Sequence, residues 1–303
     1  MAIAAGGRGR YRLGDDDAAA PEQTMNDQTI LSFLERLVLD AGRRIVEIAA
    51  EGFAAETKAD ASPVTKADRE AEAILLAGLR ARFPEIPIVA EEESAAGLAP
   101  RETKEAFFLV DPLDGTREFV NGGDDYTVNV ALVRAGVPVV GAVYAPACRQ
   151  LYLGRPGFAE LVETDSGHRP LTRREIRVRR PAVPPVVVAS RSHDTAATRG
   201  WIARLGAAER VAIGSSLKFC LLAAGRADLY PRLGRTMQWD TAAGDAVLRA
   251  AGGRTMTLDG KPLTYGKRNG PSGVDFANPW FVATGGDCEG LEAALAACGK
   301  LAK

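Results

Sequence analysis

The stretch Phe108-Leu-Val-Asp-Pro-Leu-Asp-Gly-Thr-Arg-Glu-Phe119 is the most informative part of this chain about its structure and its chemistry. An apolar, strand-like run over 106–110 leads directly into Asp111 and Asp114, and the proline and glycine of the stretch turn the chain there. Two carboxylates buried close together repel each other and lose hydration, so a cation should lie between them. Oxygen donors favour Mg²⁺ over Zn²⁺, which prefers imidazole and thiolate. The alternative is an ordinary Asp/Gly turn after a strand.

Composition indicates an ordinary globular protein. The 303 residues are 46% hydrophobic and 25% charged, enough for a large core in one domain or in two fused halves. The net charge of −1 argues against wholesale binding of nucleic acid. No apolar run approaches the roughly 20 residues of a membrane span. We expect a cytoplasmic protein, with peripheral attachment at the inner membrane as the alternative. The cysteines lack CxxC spacing and are interpreted as reduced thiols: Cys148, Cys220, Cys288 and Cys298.

Hydrophobic periodicity divides the chain into three parts. Residues 1–24 lack periodicity and the apolar core of a signal peptide, which predicts a disordered extension. Residues 25–175 are typical of an α+β half, in which helices pack on a largely antiparallel sheet. The predicted helices are 27–52 and 68–82, and the predicted strands are 88–90, 106–111, 127–134, 138–145 and 150–153.

Residues 176–303 alternate strands and helices, which predicts a smaller α/β half. The polar, arginine-rich and proline-rich segment 163–185 is the predicted boundary between the halves. The strands expected after it are 186–189, 211–213, 228–230, 254–257 and 281–284, and the helices are 194–205, 216–224, 241–251 and 291–301.

Carboxylates end strands or begin helices in three other segments. Asp68 opens a helix after Pro63-Val-Thr65, Glu91-Glu-Glu93 follows a strand, and Asp240 precedes the predicted helix 241–251, whose first turn it can cap. Each has an ordinary explanation alone, as a helix cap or a solvated acidic turn. Their joint occurrence with Asp111 and Asp114 favours one shared metal site.

Three segments resemble the signatures of the inositol monophosphatase superfamily of magnesium-dependent, lithium-sensitive phosphatases. They are Ile88-Val-Ala-Glu-Glu92, Asp111-Pro-Leu-Asp-Gly-Thr116 and Trp239-Asp-Thr-Ala-Ala-Gly244. Within the superfamily the chain resembles the bacterial 3′(2′),5′-bisphosphate nucleotidases of the CysQ type. That similarity rests on segments 62–68, 114–120, 190–193, 214–220 and 229–232, and the whole resemblance covers roughly 27–285. It implies a layered α-β-α-β-α fold of the sugar-phosphatase kind.

The resemblance also implies two Mg²⁺ ions, with a third, weaker one beside them. The ligands of the first ion would be Glu91, Asp111 and the carbonyl of Leu113, and those of the second Asp111, Asp114 and Asp240. Paired ions of this kind usually lie about 3.5–4 Å apart, one generating a hydroxide and the other stabilising the leaving oxygen.

Three residues would carry the chemistry that the resemblance implies. Asp68 with the hydroxyl of Thr116 would position and deprotonate the attacking water, while Glu91, shared with Asp68 by the third metal, completes the expected catalytic set. The backbone N–H groups of Gly115 and Thr116 would cradle phosphate oxygens at a helix start.

Substrate specificity is expected in the second half. Lys218 and Ser215 would hold the phosphate that is not cleaved, and His193 and Arg232 resemble residues that approach the nucleotide. The alternatives are an exposed helix lysine for Lys218, a cap of the helix at Asp194 for His193, and a surface strand residue for Arg232. The remaining expected substrate contacts are the metal-site residues Glu91, Leu113, Asp114, Gly115, Thr116 and Asp240.

The main hypothesis is a phosphatase that hydrolyses adenosine 3′,5′-bisphosphate to AMP and phosphate, accepts the sulfated analogue and serves sulfur metabolism. Inositol monophosphate or fructose 1,6-bisphosphate is the alternative substrate, and a non-catalytic metal- or nucleotide-binding protein is the alternative class. A nucleic-acid role for Arg173, Arg174, Arg177, Arg179 and Arg180 is disfavoured against a solvated linker or edge strand, because no aromatic residues are interleaved. The sequence is compatible with a monomer and with a homodimer.

Overall fold

The computed structural model of the protein describes residues 26–58, 63–193, 195–206, 209–268, 270, 273–287 and 291. The predicted extension 1–24 and the predicted closing helix beyond residue 291 lie outside the described residues, as do Cys288 and Cys298.

A seven-stranded sheet forms the centre of the first half. Its order is β3-β4-β5-β6-β7-β8-β9, with β3 parallel to β4 and every other pair antiparallel. The strands are β3 (Ile88–Ala90), β4 (Ala106–Asp114), β5 (Thr127–Arg134), β6 (Val137–Ala145), β7 (Gln150–Arg155), β8 (Phe158–Thr164) and β9 (Pro170–Glu175). A separate antiparallel hairpin pairs β1 (Ala55–Thr57) with β2 (Pro63–Thr65).

Two long helices cover one face of this sheet. Helix α1 (Asp27–Glu51) begins where the N–H of Thr29 donates to the Asn26 side chain at 2.8 Å. Helix α2 (Lys66–Arg82) is capped by Thr65. Both bury an apolar stripe against the outward residues of β4 to β7, such as Phe108 and Val130. The short helices α3 (Glu91–Ala95) and α4 (Thr116–Val120) follow β3 and β4.

A second sheet forms the other half, with the order β11-β10-β12-β14-β13. Its strands are β10 (Val186–Ser190), β11 (Glu209–Ile213), β12 (Leu229–Arg232), β13 (Arg254–Thr257) and β14 (Phe281–Thr284). Strand β10 is parallel to β11 and β12, and the remaining pairs are antiparallel. The helices of this half are α5 (Ala196–Leu205), α6 (Leu217–Ala223) and α7 (Trp239–Ala250).

Helices α6 and α7 lie between the two sheets. They pack on the inward residues of the first sheet, such as Phe107 and Leu109, and on Tyr230 and Phe281 of the second. The far face of the second sheet packs on α5 through Trp201 and Ile202. The layers are therefore α1/α2, first sheet, α6/α7, second sheet and α5, the expected α-β-α-β-α order.

Two glycines allow α7 to lie directly on the first sheet. A Cβ at Gly141 of β6 would lie 2.4 Å from the carbonyl oxygen of Ala243, and one at Gly154 of β7 would lie 2.6 Å from the Cα of Val247. Contacts that short do not occur, so only glycine permits this approach. Since α7 carries Asp240, the two glycines also set the depth of that carboxylate.

Two predicted elements differ from the observed ones. The segment 163–185, predicted to contain no strand, includes the end of β8 and the whole of β9. Strand β9 is exposed at every position, because it is the sheet edge, and it therefore shows no hydrophobic alternation. Helix α7 begins at Trp239, two residues before its predicted start, so Asp240 lies inside the first turn rather than capping it. Among the described helices, none is long and apolar enough to cross a membrane.

Candidate active site

The predicted site residues gather around one cavity of about 1120 Å³ that both halves line. Its wall includes Glu91, Asp111, Leu113, Asp114, Gly115, Thr116, His193, Ser215, Lys218, Arg232 and Asp240. Asp68 does not line the cavity, because it lies behind Thr116 and is only 1% exposed.

Strand β4 delivers two of the carboxylates through an irregularity in its pairing with β5. Asp111 pairs with Asn129 and Asp114 with Thr127, so three steps on β4 match two on β5. Such a bulge re-aims the side chains that flank it. The N–H of Leu113 donates to Asp111 at 3.0 Å within this bulge.

Four carboxylates share a negatively charged region, in which Asp111 is buried and Glu91, Asp114 and Asp240 are half-buried. Burial raises the pKa of Asp111 well above its usual range, and the charges of Glu91, Asp114 and Asp240 raise it further. The pKa of Asp240 is raised by burial and then by Asp114 and Glu91. Burial raises the pKa of Asp114 to about 6 against the opposing charge of Lys218. A cluster of this kind is stable in its ionised form only with cations beside it.

The donor set fits a hard divalent cation. Its side-chain donors are all carboxylates, and the main-chain carbonyl of Leu113 adds one more oxygen. Oxygen donors are what Mg²⁺ prefers. Within the described ranges no three His, Cys, Asp or Glu side chains already converge on one point. Each carboxylate is instead held by its own element, as when the N–H of Met237 donates to Asp240 at 2.8 Å. Because carboxylate side chains can rotate to meet an ion, the oxygen donor set and the mutual pKa shifts indicate a cation site.

Asp68 and Thr116 form a hydrogen-bonded pair at the edge of this cluster. The N–H and hydroxyl of Thr65 both donate to one oxygen of Asp68 at 2.7 Å. The Thr116 hydroxyl lies 3.0 Å from the other oxygen and 3.0 Å from the Leu113 carbonyl oxygen. With one proton it can donate to only one of them at a time. Burial raises the pKa of Asp68, and the Thr65 hydrogen bonds oppose that shift.

Gly115 makes the turn between Asp114 and α4. Its φ is 94°, and a Cβ there would lie 2.8 Å from the carbonyl oxygen of Asp125. Both facts require glycine. The turn places the Thr116 hydroxyl beside Asp68.

Lys218 is buried, so the exposed-lysine alternative is wrong. It is 5% exposed, donates to the carbonyl oxygen of Ser215, and lies 5.4 Å from the ring centroid of Tyr230. Burial lowers its pKa to about 8, while Asp114 raises it and Arg232 lowers it. Ser215 adopts a left-handed φ of 48°, which turns its carbonyl toward Lys218.

Arg232 is buried as well, which rules out the surface-strand alternative. It is 7% exposed, and its Nη2 donates to the Arg235 carbonyl oxygen at 2.6 Å. Its buried Nε has no partner among the described residues. An unpartnered buried guanidinium donor is costly unless an anion completes it.

His193 does not cap a helix, because Thr195 caps α5. The His193 N–H donates to the Ser190 hydroxyl at 3.1 Å. Burial lowers its pKa to about 4, with the charges of Arg232 and Arg117 acting in the same direction. His193 is therefore neutral at pH 7, so it can form a hydrogen bond to a phosphate but adds no positive charge.

Two residues that contact Glu91 or the main chain next to it were not predicted from the sequence. Lys58, beyond the β1 strand, reaches Glu91 at 2.7 Å and also contacts Glu92. Glu72 of α2 accepts the N–H groups of Glu92 and Glu93, and burial raises its pKa to about 7. No local motif marks Lys58. Glu72 stands four positions after Asp68 on the same helix face, a spacing that could have drawn attention to it.

Three of the five clustered arginines, Arg173, Arg177 and Arg179, form ion pairs. Arg173 on β9 contacts Glu35 and Glu160, and Arg179 contacts the buried Asp228 at 2.8 Å. These pairs favour the edge-strand and linker interpretation. Trp239 is buried against Phe276, with ring centroids 6.3 Å apart, as expected for a packing residue.

Comparison with known proteins places this geometry in a family. The model of the inositol monophosphatase family matches residues 26–281, close to the expected 27–285. The 3′(2′),5′-bisphosphate nucleotidase CysQ of Escherichia coli O157:H7 is 43% identical over 248 residues, which are 81% of this chain and 96% of that protein. The homologous CysQ of Salmonella typhimurium is 42% identical over 251 residues, covering 82% and 97%.

A solved structure of a relative has a similar fold. CysQ from Bacteroides thetaiotaomicron, a bacterial member of the inositol monophosphatase family, matches with a TM-score of 0.69 and 32% identity over 86% of this chain and 98% of that one. These findings confirm the predicted layered fold, the resemblance to CysQ-type proteins and the prediction of a phosphatase. The roles of the individual site residues stay predictions. The chain belongs to the inositol monophosphatase family.

Proposed function

We propose that this phosphatase hydrolyses adenosine 3′,5′-bisphosphate to AMP and phosphate in a magnesium-dependent reaction, and that it accepts the sulfated analogue. One observation carries the choice of substrate: two buried cations, Lys218 and Arg232, line the same cavity as the carboxylate cluster. A substrate with one phosphate at the metals and another at these cations satisfies both regions. The names of the CysQ relatives support the same choice.

The carboxylates would hold the metal ions. Glu91, Asp111 and the Leu113 carbonyl fit one Mg²⁺, and Asp111, Asp114 and Asp240 fit a second, with a weaker third near Glu91 and Asp68. When bound, such ions lower the pKa of a water molecule and stabilise a developing negative charge on oxygen.

Asp68 and Thr116 would handle the proton of the attacking water. Asp68 keeps one oxygen engaged by Thr65, so its other oxygen is directed at the Thr116 hydroxyl, 3.0 Å away. When Thr116 donates to Asp68, its own oxygen remains an acceptor, and Thr116 lines the cavity. A water that donates to this oxygen is oriented for attack, which is the positioning part of general-base catalysis.

Lys218, Arg232 and Ser215 would bind the phosphate that is retained. The Nε of Arg232 supplies a donor that lacks a partner among the described residues, and Lys218 supplies a charge next to it. His193, neutral at pH 7, would orient the nucleotide by hydrogen bonding.

We expect a cytoplasmic location. The two cysteines of the described ranges, Cys148 and Cys220, are free thiols, which is typical of a reducing compartment.

A phosphate-release assay tests the proposal. Adenosine 3′,5′-bisphosphate, its sulfated analogue, inositol 1-phosphate and fructose 1,6-bisphosphate are compared in Mg²⁺, in EDTA, and in Mg²⁺ with Li⁺. We expect kcat/KM to be highest for the adenosine bisphosphate, activity to vanish in EDTA and return with Mg²⁺, and Li⁺ to inhibit. A preference for inositol 1-phosphate would replace the substrate assignment, and full activity in metal-free protein would overturn the mechanism.

A further inference from the structure

Glu72 is a buried carboxylate that belongs to no predicted part of the site. It is 5% exposed and lies on α2, one turn beyond Asp68. One of its oxygens accepts the N–H of Glu92 at 2.8 Å, and the other accepts the N–H of Glu93 at 2.9 Å. Both oxygens are therefore used on the main chain that immediately follows Glu91.

This contact supplies what α3 lacks. The first N–H groups of a helix have no partner within it, and the residue before α3, Ala90, has no side chain that could cap them. Glu72 caps α3 from a different element. The carboxylate ligand Glu91 is the first residue of α3, so the cap fixes the main chain that carries this ligand.

Helix α2 consequently holds two sides of the site at once. Through Asp68 it contacts Thr116 on α4, and through Glu72 it contacts the start of α3. The two residues are four positions apart, so they share one face of α2. A rigid helix between them sets the distance from the Asp68–Thr116 pair to the main chain of Glu91.

We propose that Glu72 is a positioning residue, which fixes the main chain of Glu91 for metal binding. The proposal rests on the metal-dependent function proposed above. It predicts that a change at Glu72 weakens metal binding to the substrate-free protein, because partners of metal ligands typically contribute 10–100-fold to metal affinity.

The test measures Mn²⁺ binding to the full-length, substrate-free protein, from the electron paramagnetic resonance signal of free Mn²⁺. Glu72→Gln keeps the shape of the side chain but faces one N–H group with an amide nitrogen. We expect it to weaken Mn²⁺ binding by about 10–100-fold. At saturating Mg²⁺ the KM for adenosine 3′,5′-bisphosphate should stay within twofold of wild type, because Glu72 does not line the cavity.

Asp228→Asn is the matched control. Asp228 is also a buried carboxylate that accepts backbone N–H groups, those of Ala182 and Val186, and it lies outside the cavity wall. We expect Asp228→Asn to lower Tm without changing the Mn²⁺ affinity. If Glu72→Gln does not fold, Glu72→Asp retains the charge but is one methylene shorter, and it should weaken Mn²⁺ binding in the same direction.

Three results would overturn the proposal. Wild-type Mn²⁺ affinity in a folded Glu72 variant would show that the cap does not position Glu91. Equal weakening by Asp228→Asn would show a general effect of lost stability. Absence of Mn²⁺ binding by the wild-type protein would instead overturn the proposed metal-dependent function, and the role of Glu72 with it.

Discussion

Lys218→Met is the sharpest test of substrate choice. Methionine keeps the length and the apolar stem of the side chain and removes its cation. Lys218 is 5% exposed and lies beside Arg232, so a phosphate bound there would be largely removed from water. A charge-assisted hydrogen bond contributes about 1.5–3 kcal/mol, which predicts a loss of roughly 10- to 150-fold in kcat/KM for adenosine 3′,5′-bisphosphate. Arg232 stays in place, so binding should weaken rather than disappear.

Adenosine 3′-monophosphate provides the internal comparison. It has the phosphate that is cleaved and lacks the one assigned to Lys218, so its kcat/KM should change much less. Both substrates are assayed at saturating Mg²⁺, because Lys218 also lowers the pKa of Asp114. Lys104→Met, an exposed lysine outside the cavity wall, should leave both values unchanged.

An equal loss of kcat/KM on the two substrates would contradict the assignment of Lys218 to the retained phosphate. Lys218 would then act at the carboxylate cluster or in the fold. If neither substrate is affected, the buried lysine has no part in binding, and the bisphosphate assignment loses its main structural support.

Three further predictions concern charge and packing. Asp114→Asn should lower turnover by at least about 10³-fold while preserving the fold, on the scale of losing a main electrostatic stabiliser; a variant within tenfold of wild type would show that Asp114 is not a ligand. In metal-free protein Tm should rise as the pH falls from 7.5 to 6, because folding raises the pKa values of Asp111, Asp114 and Asp240 and the folded state then binds more protons than the unfolded chain. Mg²⁺ should abolish or reverse this dependence of Tm on pH, since protons compete with the metal. His193, whose pKa is lowered to about 4, opposes the rise in Tm below about pH 6.5. A Tm that falls across the whole pH range in EDTA would contradict the carboxylate assignment. Gly141→Ala should cost about 1–3 kcal/mol of stability by denaturant titration, whereas Gly200→Ala, where a Cβ would meet nothing within 4 Å, should be neutral or stabilising; equal stability of the two variants would show that α7 can move away from the sheet.

The carboxylates could be predicted from the sequence because each lies within a short segment at the end of a periodic element. Asp111 and Asp114 lie in the last residues of a strand that is buried on both faces, and the proline and glycine of the same stretch stand beside them. Hydrophobic periodicity and turn residues within one short segment are sufficient to predict such a site.

The residues that were missed depend on contacts between distant segments. Lys58 reaches Glu91 across 33 positions, and nothing around Lys58 distinguishes it from an exposed lysine. Lys218 likewise contacts a residue from another segment, Tyr230, whose ring centroid lies 5.4 Å away. Strand β9 escaped prediction for a different reason: its pairing with β8 comes from the backbone, while every side chain on it is exposed.

The position of α7 links the assembly of the carboxylate cluster to the folding of the chain. Asp111 and Asp114 belong to the first sheet, but Asp240 reaches them from a helix that is sandwiched between the two sheets. The proposed set of four carboxylates is therefore complete only after α7 has packed on the first sheet. A chain that has folded only its first half would lack one of the proposed metal ligands, and we expect it not to hydrolyse substrate. Divalent-ion binding should thus report the docking of α7, and a bound ion would stabilise the folded state in which α7 is docked.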